Sequence, residues 1–182
     1  MDVSPVPRIV GAMLFRPISH AEERGFFCRT FDADVARAAR LDPPRSCSTA
    51  SPASIRGVLR GLHVRLGNGE AKLVRCSYGA VFDVVVDLRP ESPTCRNWES
   101  FELRDDEQTI LYVPACCAHG FQACTDIADV SYLIDRAHDP AEDVSIAFDD
   151  AESAIPWPLP VTIMSLRDRL AASLADTVKL LS

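Results

Sequence analysis

The chain has 182 residues, of which 47% are hydrophobic and 25% are charged, and these values are typical of a single globular domain. Its formal net charge of −7 argues against nucleic-acid binding as the main function, although a few Arg and Lys side chains can still line a pocket for a small anion. The sequence has neither the basic start and apolar run of a signal peptide nor the ~18 consecutive apolar residues of a membrane span, so we expect no membrane association.

Short apolar runs separated by turn residues predict a series of strands along most of the chain. In chain order these runs are Ile9–Phe15, Gly25–Phe31, Gly57–Val64, Lys72–Tyr78, Ala80–Leu88, Trp98–Leu103, Thr109–Val113, Gly120–Cys124 and Val130–Ile134. Turn signals recur about every ten residues, which favours an antiparallel sandwich or barrel over a βαβ fold. The stretch from Val81 to Leu88 is almost continuously apolar, which predicts a strand covered on both faces.

Two segments are predicted to be helical. The first is Asp32–Arg40, which is short and rich in Ala and Arg, with Asp32 as its N-cap. The second is Ser165–Leu181, which begins with a good N-cap residue and carries leucines at positions 166, 170, 174 and 181. The Pro156–Pro160 segment before it should be extended, because each proline biases its predecessor away from the helical region.

Seven cysteines are scattered along the chain without a CxxC pair: Cys28, Cys47, Cys76, Cys95, Cys116, Cys117 and Cys124. An odd number without the spacing of zinc ligands predicts reduced, mostly buried thiols in a reducing compartment. We therefore expect a cytoplasmic protein. The adjacent pair Cys116 and Cys117 is interpreted as two small apolar residues of a strand or turn rather than as a redox pair.

The segment Gly57–His63 places Arg60 and His63 three residues apart inside a predicted strand. Histidine exchanges protons near neutral pH, and arginine binds phosphate or carboxylate groups, so the pair is suited to proton chemistry on an anionic substrate. Taken alone, however, the two residues favour a structural interpretation, in which Arg60 forms a surface ion pair and His63 is a hydrogen-bonded core histidine. The other histidines are His20, His119 and His138; His20 and His138 are predicted to lie in exposed loops, and without an HxH pair we predict no metal site.

A longer set of motifs resembles the dTDP-4-dehydrorhamnose 3,5-epimerase family over roughly residues 10 to 170. The matching segments are Glu23–Phe27, Val58–His63, Lys72–Cys76, Val81–Val84, Val86–Arg89, Ser92–Thr94, Trp98, Ala118–Phe121, Tyr132, Ile155–Pro158 and Ser165–Asp168. The resemblance implies a mainly β, cupin-like double-stranded β-helix (jelly-roll) barrel with a short N-terminal and a C-terminal helix. It also implies a cofactor-independent homodimer that epimerises a nucleotide-linked 4-keto-6-deoxy sugar at C3, C5 or both.

The same resemblance assigns roles to particular residues. It implies that His63 is the base and Tyr132 the proton donor on the other face of the sugar, that Asp168 orients His63, and that Lys72 lies near the enolate oxygen. The residues implied to contact the substrate are Arg24, Arg60, His119, Asp143 and Arg167.

Several positions depart from the family pattern at the nucleotide end of the site. Arg29 stands where relatives usually carry Glu, Ser48 and Ala50 replace a Gln-x-Asn pair, and Val64 and Arg65 replace an aromatic residue and Gln. Because bases are recognised by a few hydrogen bonds, these changes predict altered recognition with intact proton chemistry. A 3-only or 5-only epimerase, an enzyme for another nucleotide such as CDP, a 3,4-ketoisomerase and a non-catalytic sugar-nucleotide-binding barrel remain open alternatives.

Overall fold

The computed structural model describes residues 1–41 and 47–181, with the backbone alone for residues 47–53. Its strands are β1 (Asp2–Pro5), β2 (Met13–Arg16), β3 (Ser19–Glu22), β4 (Gly25–Cys28), β5 (Cys47–Ile55), β6 (Leu59–Arg65), β7 (Lys72–Tyr78), β8 (Ala80–Asp87), β9 (Trp98–Arg104), β10 (Ile110–Val113), β11 (Cys117–Ala123), β12 (Ile127–Ile134) and β13 (Asp143–Ser145). The helices are α1 (Ala33–Ala38), α2 (Leu166–Arg169) and α3 (Leu174–Leu180).

Two antiparallel sheets form the body of the molecule. The first has the strand order β1-β2-β10-β7-β12-β5, and the second has the order β13-β6-β11-β8-β9. Strands β3 and β4 pair only with each other, as a hairpin outside both sheets. Sequence neighbours such as β6 and β7 lie in different sheets, which is the connectivity of a jelly roll. The predicted fold class is therefore confirmed.

Strand alternation divides the apolar residues between an inner core and two outer faces. In β8, Val81 and Val85 join the core between the sheets, whereas Val84 and Val86 face outward against the C-terminal segment. On the outer face of the other sheet, Ala36 of α1 packs in one cluster with Phe15, Leu73 and Ile110. Both faces of the central strands are thus buried, which explains the almost continuously apolar sequence of β8.

The predicted C-terminal helix is wrong in one respect, because the structure divides it into α2 and α3. Ala172 is extended and forms a bridge with Ile146, while its carbonyl accepts from the Ala147 amide. Ser173 then caps a new helix by accepting from the Asp176 amide. A serine with a carboxylate three residues later starts a helix as readily as it occupies one, so the leucine spacing alone misled the prediction.

The sequence prediction also missed or shifted several strands. It did not anticipate β1, β3, β5 and β13, and residues 9–12 form turns before β2 rather than the start of a strand. The β5 sequence Cys47–Ile55 is rich in Ser and Ala and lacks alternation, so its pairing with β12 comes from tertiary contact. The short helix at Asp32 is confirmed, since the Asp32 carboxylate accepts from the Asp34 and Val35 amides.

Candidate active site

A cavity of about 900 Å³ opens between the two sheets. Its walls contain seven of the nine residues singled out from the sequence: Arg60, His63, Lys72, His119, Tyr132, Arg167 and Asp168. Further lining residues include Ser54, Glu70, Met164 and Ser165. The inward side chains of β6, β7, β11 and β12 thus meet the start of α2, and residues more than a hundred positions apart in the chain share one wall.

His63 and Asp168 form a close pair at this wall. The His63 Nε2 lies 2.7 Å from Asp168 Oδ1, with the histidine about one third exposed to the cavity and the carboxylate only 4% exposed. Burial by itself raises the pKa of Asp168, but the bond to His63, its charge, and donation from Ser165 and the Gly61 amide outweigh it, so the pKa lies below the usual value. An ionised Asp168 keeps the proton of a neutral His63 on Nε2 and leaves the lone pair on Nδ1.

Local structure holds the carboxylate in this place. Ser165 is the N-cap of α2, and its hydroxyl accepts from the Asp168 amide at 3.1 Å. Ser145 of β13 pairs in register with His63, donates to Asp168 Oδ1 at 3.2 Å and accepts from Arg167 Nε at 3.0 Å. Asp168 is therefore fixed from its backbone and its side chain at once.

The approach of β6 to β11 depends on glycine. Gly61 has a φ of +125°, and a Cβ at this position would lie 2.5 Å from the Gly120 Cα, closer than real Cβ atoms come to backbone. The two strands change register here, between His119 and Phe121. As a result His63 and His119 are direct neighbours across the pair, and both line the cavity.

Tyr132 belongs to the other wall. It lies on β12 of the six-stranded sheet, whereas His63 lies on β6 of the five-stranded sheet, and both line the cavity. The His119 ring meets the Tyr132 ring edge-on, with centroids 5.8 Å apart and an interplanar angle of 80°. The cavity is thus lined by the imidazole of His63 from one sheet and by the phenol of Tyr132 from the other.

Beneath the cavity, His119 is bound to a fully buried carboxylate. Its Nε2 lies 2.8 Å from one oxygen of Asp83 and 3.0 Å from the other. Burial raises the pKa of Asp83 above its usual value, and His119 and Lys72 oppose that shift. The pair fixes the orientation of the His119 ring, and hence the surface that it presents to Tyr132.

Comparison with known proteins identifies a family that the chain resembles along most of its length. Residues 7–176 match the family model described as dTDP-4-dehydrorhamnose 3,5-epimerase. A protein of that name from Methanothermobacter thermautotrophicus is 36% identical over 162 residues, covering 87% of each chain. A dTDP-4-dehydrorhamnose 3-epimerase from Streptomyces niveus is 39% identical over 169 residues, covering 92% of this chain and 82% of its own.

Among solved structures, NovW, a 4-keto-6-deoxy sugar epimerase from the novobiocin biosynthetic gene cluster of Streptomyces spheroides, superposes with a TM-score of 0.93 at 37% identity. The match covers 100% of this chain and 92% of that one. The chain belongs to the dTDP-4-dehydrorhamnose 3,5-epimerase family. It is accordingly an isomerase related to the enzymes of deoxysugar biosynthesis, and the resemblance seen in its motifs is confirmed.

Two of the residues that the family resemblance implied do not line the cavity of this epimerase. Arg24 lies on the exposed β3–β4 hairpin and pairs with Glu22 at 2.6 Å. Asp143 begins β13 and lies 3.4 Å from Arg65 and 3.7 Å from Arg167, behind the cavity wall. Both roles stay predictions.

The positions that depart from the family pattern lie in different parts of the structure. Arg29 forms an ion pair of 2.7 Å with Asp32, the N-cap of α1, and does not line the cavity. The side chains of Ser48 and Ala50 lie outside the described residues. Arg65 is buried behind the cavity, where it contacts Glu70 at 2.9 Å.

Three residues of the site escaped the sequence analysis. Asp83 interrupts an apolar strand that is buried on both faces, and such a charge requires a partner, so its sequence context was the signal. Glu70 stands two residues before Lys72, which places both on one side of an extended chain. Ser145 carried no sequence signal, because its contact with Asp168 arises only from the pairing of β13 with β6.

Metal ligands and reactive thiols are not assembled in the part of the chain that the structure describes. No group of three or more His, Cys, Asp or Glu side chains converges there on an ion site. The six cysteines described there are free; Cys76 and Cys117 are buried and the other four half-buried, so burial is less complete than expected. Burial raises the pKa of Cys76 to about 11 and that of Cys117 to about 12. Within the described residues no helix is long and apolar enough to cross a membrane.

Proposed function

We propose that the protein epimerises a nucleotide-linked 4-keto-6-deoxyhexose at C3, C5 or both, by removal of a proton next to the ketone and its return from the other face. The observation that carries this proposal is the His63–Asp168 pair on one sheet facing Tyr132 on the other across a shared cavity. A carbon next to a ketone is acidic because the charge left behind spreads into an enolate. Inversion then requires a base on one side of the ring and a donor on the other.

In this scheme His63 takes the proton. The ionised Asp168 stabilises the imidazolium that forms, and the α2 cap keeps the carboxylate from turning away. Tyr132 returns a proton from the opposite wall, with its ring held edge-on by His119. Lys72 supplies the positive charge for the enolate oxygen, where charge develops in the transition state.

Two guanidinium groups are suited to the diphosphate of a sugar nucleotide. Arg60 and Arg167 line the cavity, and Arg167 is half exposed with its Nε on Ser145 Oγ. Charge-assisted hydrogen bonds from arginine favour phosphate oxygens. Arg167 lies 3.7 Å from Asp143 and 3.8 Å from Asp168, and the Nε of Arg60 donates to the Ser54 hydroxyl at 3.3 Å. Each guanidinium has five N–H donors, so both keep donors for a dianionic ligand.

The active form is proposed to be a homodimer in the cytoplasm. Of the eight residues of β3 and β4, only Cys28 is not exposed, and Phe27 has 68% of its surface in solvent. A lone two-stranded hairpin is marginally stable in water, and exposed aromatic residues on it are typical of an interface. Docking on a second subunit would cover Phe26 and Phe27 and carry Arg24 toward the partner's cavity.

The test is hydrogen exchange with solvent at the sugar carbons. We expect NMR in deuterated water to show deuterium at C3, C5 or both of dTDP-4-keto-6-deoxyglucose, and the same measurement on the CDP-linked sugar ranks the two nucleotides. The His63→Ala variant should exchange at least about 100-fold more slowly, because general base catalysis contributes that much or more.

Three results would contradict the proposal. Migration of the carbonyl to C3 without inversion would identify a 3,4-ketoisomerase. Tight nucleotide binding without any exchange would identify a binding barrel. Exchange by His63→Ala at the parent rate would remove His63 from the mechanism.

A further inference from the structure

A chain of buried charges leads from the cavity into the protein behind Lys72. The Lys72 Nζ lies 3.3 Å from Glu70 Oε1, and the other oxygen of Glu70 lies 2.9 Å from Arg65 Nη1. Side-chain exposure is 9% for Lys72 and Glu70 and 3% for Arg65. One carboxylate is therefore shared between a lysine that lines the cavity and a guanidinium outside the cavity lining.

The backbone brings these three side chains together. Arg65 ends β6 and points to the same side as His63, two residues before it, and the turn at Leu66–Gly69 leads to Glu70 and the start of β7. Lys72 and Glu70, two residues apart, also share a side. The arrangement thus connects the five-stranded sheet, which carries His63, with the six-stranded sheet, which carries Lys72.

Arg65 is held by more than Glu70. Its Nη1 donates to the Ala137 carbonyl at 2.6 Å, and its Nη2 lies 3.3 Å from His138 Nδ1 and 3.4 Å from Asp143 Oδ1. Asp143 in turn lies 3.7 Å from Arg167 on the cavity wall. The guanidinium is therefore fixed in place independently of Lys72.

The sharing of Glu70 has a consequence for Lys72. A buried carboxylate with Lys72 as its only partner would bind the ammonium strongly and reduce the positive charge available to a ligand. A carboxylate divided between Lys72 and Arg65 still anchors the ammonium but leaves more of its field directed into the cavity. Preorganised charge of this kind is most effective where charge develops during the reaction.

We propose that Glu70 and Arg65 are positioning residues for Lys72: Glu70 anchors the ammonium, and Arg65 prevents Glu70 from neutralising it. This inference rests on the proposed epimerase function for its effect on rate. The arrangement of charges that it requires is independent of that function and is testable on the protein without substrate.

The test compares Arg65→Gln, Glu70→Gln and the double variant. We expect Arg65→Gln to lower kcat about tenfold with little change in KM, because an unshared Glu70 then holds Lys72. Adding Glu70→Gln should return kcat most of the way to the wild-type value. The two amides can replace the ion pair, and the amide carbonyl introduced by Glu70→Gln still offers Lys72 an acceptor. A purely structural role for the pair predicts the opposite, a double variant no better than Arg65→Gln.

The second measurement needs no turnover. The chain has only two lysines, Lys72 and Lys179, so ¹³C and ¹⁵N NMR of the lysine side chains gives two resolvable signals. Lys179 is exposed on α3 and pairs with Asp176, which makes it an internal reference. We expect the Lys72 signal to move in both single variants while the Lys179 signal stays in place. Glu70→Gln leaves Arg65 its contact with Asp143 and is the variant expected to fold if Arg65→Gln does not.

The matched control is Arg104→Gln, which removes an exposed guanidinium that pairs with Glu102 and Asp106 away from the cavity. It should change neither kcat nor the Lys72 signal. An unmoved Lys72 signal, an unchanged kcat or a double variant no better than Arg65→Gln would each overturn the proposal. If the wild-type protein exchanges no sugar hydrogen, the proposed function fails, and the Lys72 signal alone then decides the proposed arrangement.

Discussion

At the scale of single residues, different surroundings shift the pKa values of two buried aspartates in opposite directions. Asp168 and Asp83 are both bound to a histidine that lines the cavity. The bond to His63 and its charge, followed by the bonds from Ser165 and the Gly61 amide, outweigh burial and lower the pKa of Asp168, whereas burial outweighs His119 and Lys72 and raises the pKa of Asp83. One carboxylate therefore supports a base, while the other serves to orient a ring.

The role of Asp168 predicts the effect of Asp168→Asn. An asparagine amide donates to Nε2 and favours the tautomer that has no lone pair on Nδ1, so hydrogen exchange should fall by about 100-fold or more. Because folding lowers the pKa of Asp168, its ionised form stabilises the native state above the usual value of about 3.9, and this contribution is lost as the pH falls through the lowered value.

Urea unfolding of wild type and Asp168→Asn over a range of pH measures that contribution. The difference between their free energies of unfolding should decrease below about pH 4. Asp106→Asn is the control for activity, since Asp106 also has a lowered pKa through Arg104 but is exposed and outside the cavity. A stability difference that grows as the pH falls toward 2 would contradict the assigned shift.

Tyr132→Phe separates proton removal from inversion. The phenyl ring keeps the contact with His119 but has no proton to return, so deuterium should still enter the sugar from the His63 side while inversion falls by about 100-fold or more. NMR of the product distinguishes exchange with retention from exchange with inversion. Tyr78→Phe, on an exposed tyrosine of β7, should leave both rates unchanged. Undiminished inversion in Tyr132→Phe would assign the donor to another group.

The types of residue in the site were predictable from sequence, but some of their partners were not. His63, Lys72 and Tyr132 stand in motifs, and strand alternation directs them inward. The contacts of Ser145 with Asp168 and of Arg65 with Asp143 come from the pairing of β13 with β6, and β13 is only three residues long. Nothing in three residues without periodicity marks a strand, so these partners required the tertiary structure.

At the scale of elements, the break between α2 and α3 serves the site. A continuous helix from Ser165 would have no extended Ala172 to pair with Ile146, and the predicted single helix is inconsistent with this bridge. The break lets α2 present Asp168 to the cavity while α3 covers the outer face of the five-stranded sheet through Leu174 and Val178. The two functions require different orientations, which one helix axis does not provide.

Ser165 and Ser173 cap these two helices in the same way and form a matched pair for mutation. Loss of either hydroxyl should lower the free energy of unfolding by about 1 kcal/mol, because one orphan amide loses its acceptor. Ser165→Ala should also slow exchange, since the amide that it caps belongs to Asp168, whereas Ser173→Ala should not. Thermal unfolding and the exchange assay measure both effects, and equal loss of activity in the two variants would exclude a specific link to Asp168.

At the scale of the whole molecule, a cluster of apolar residues lies on the outer side of each sheet, whereas the β3–β4 hairpin belongs to neither sheet. The buried apolar residues form three clusters, one between the sheets and one on the outer side of each sheet. The hairpin contributes to none of these clusters and extends Phe26 and Phe27 into solvent. Two adjacent exposed phenylalanines on an isolated hairpin form a surface that a second copy would be expected to cover.

The dimer is therefore predicted to depend on the hairpin. We expect light scattering after size exclusion to give twice the chain mass for wild type and a mass closer to one chain for Phe27→Ser, because the variant loses an exposed aromatic anchor. Arg24→Ala should keep the dimer but weaken dTDP binding measured by calorimetry, by roughly tenfold for one charge-assisted phosphate contact. Leu180→Ser, at an exposed apolar position of α3, is the control and should stay dimeric. Dissociation by Leu180→Ser with an intact Phe27→Ser dimer would place the interface on the C-terminal helices, and Arg24 would then have no route to a substrate.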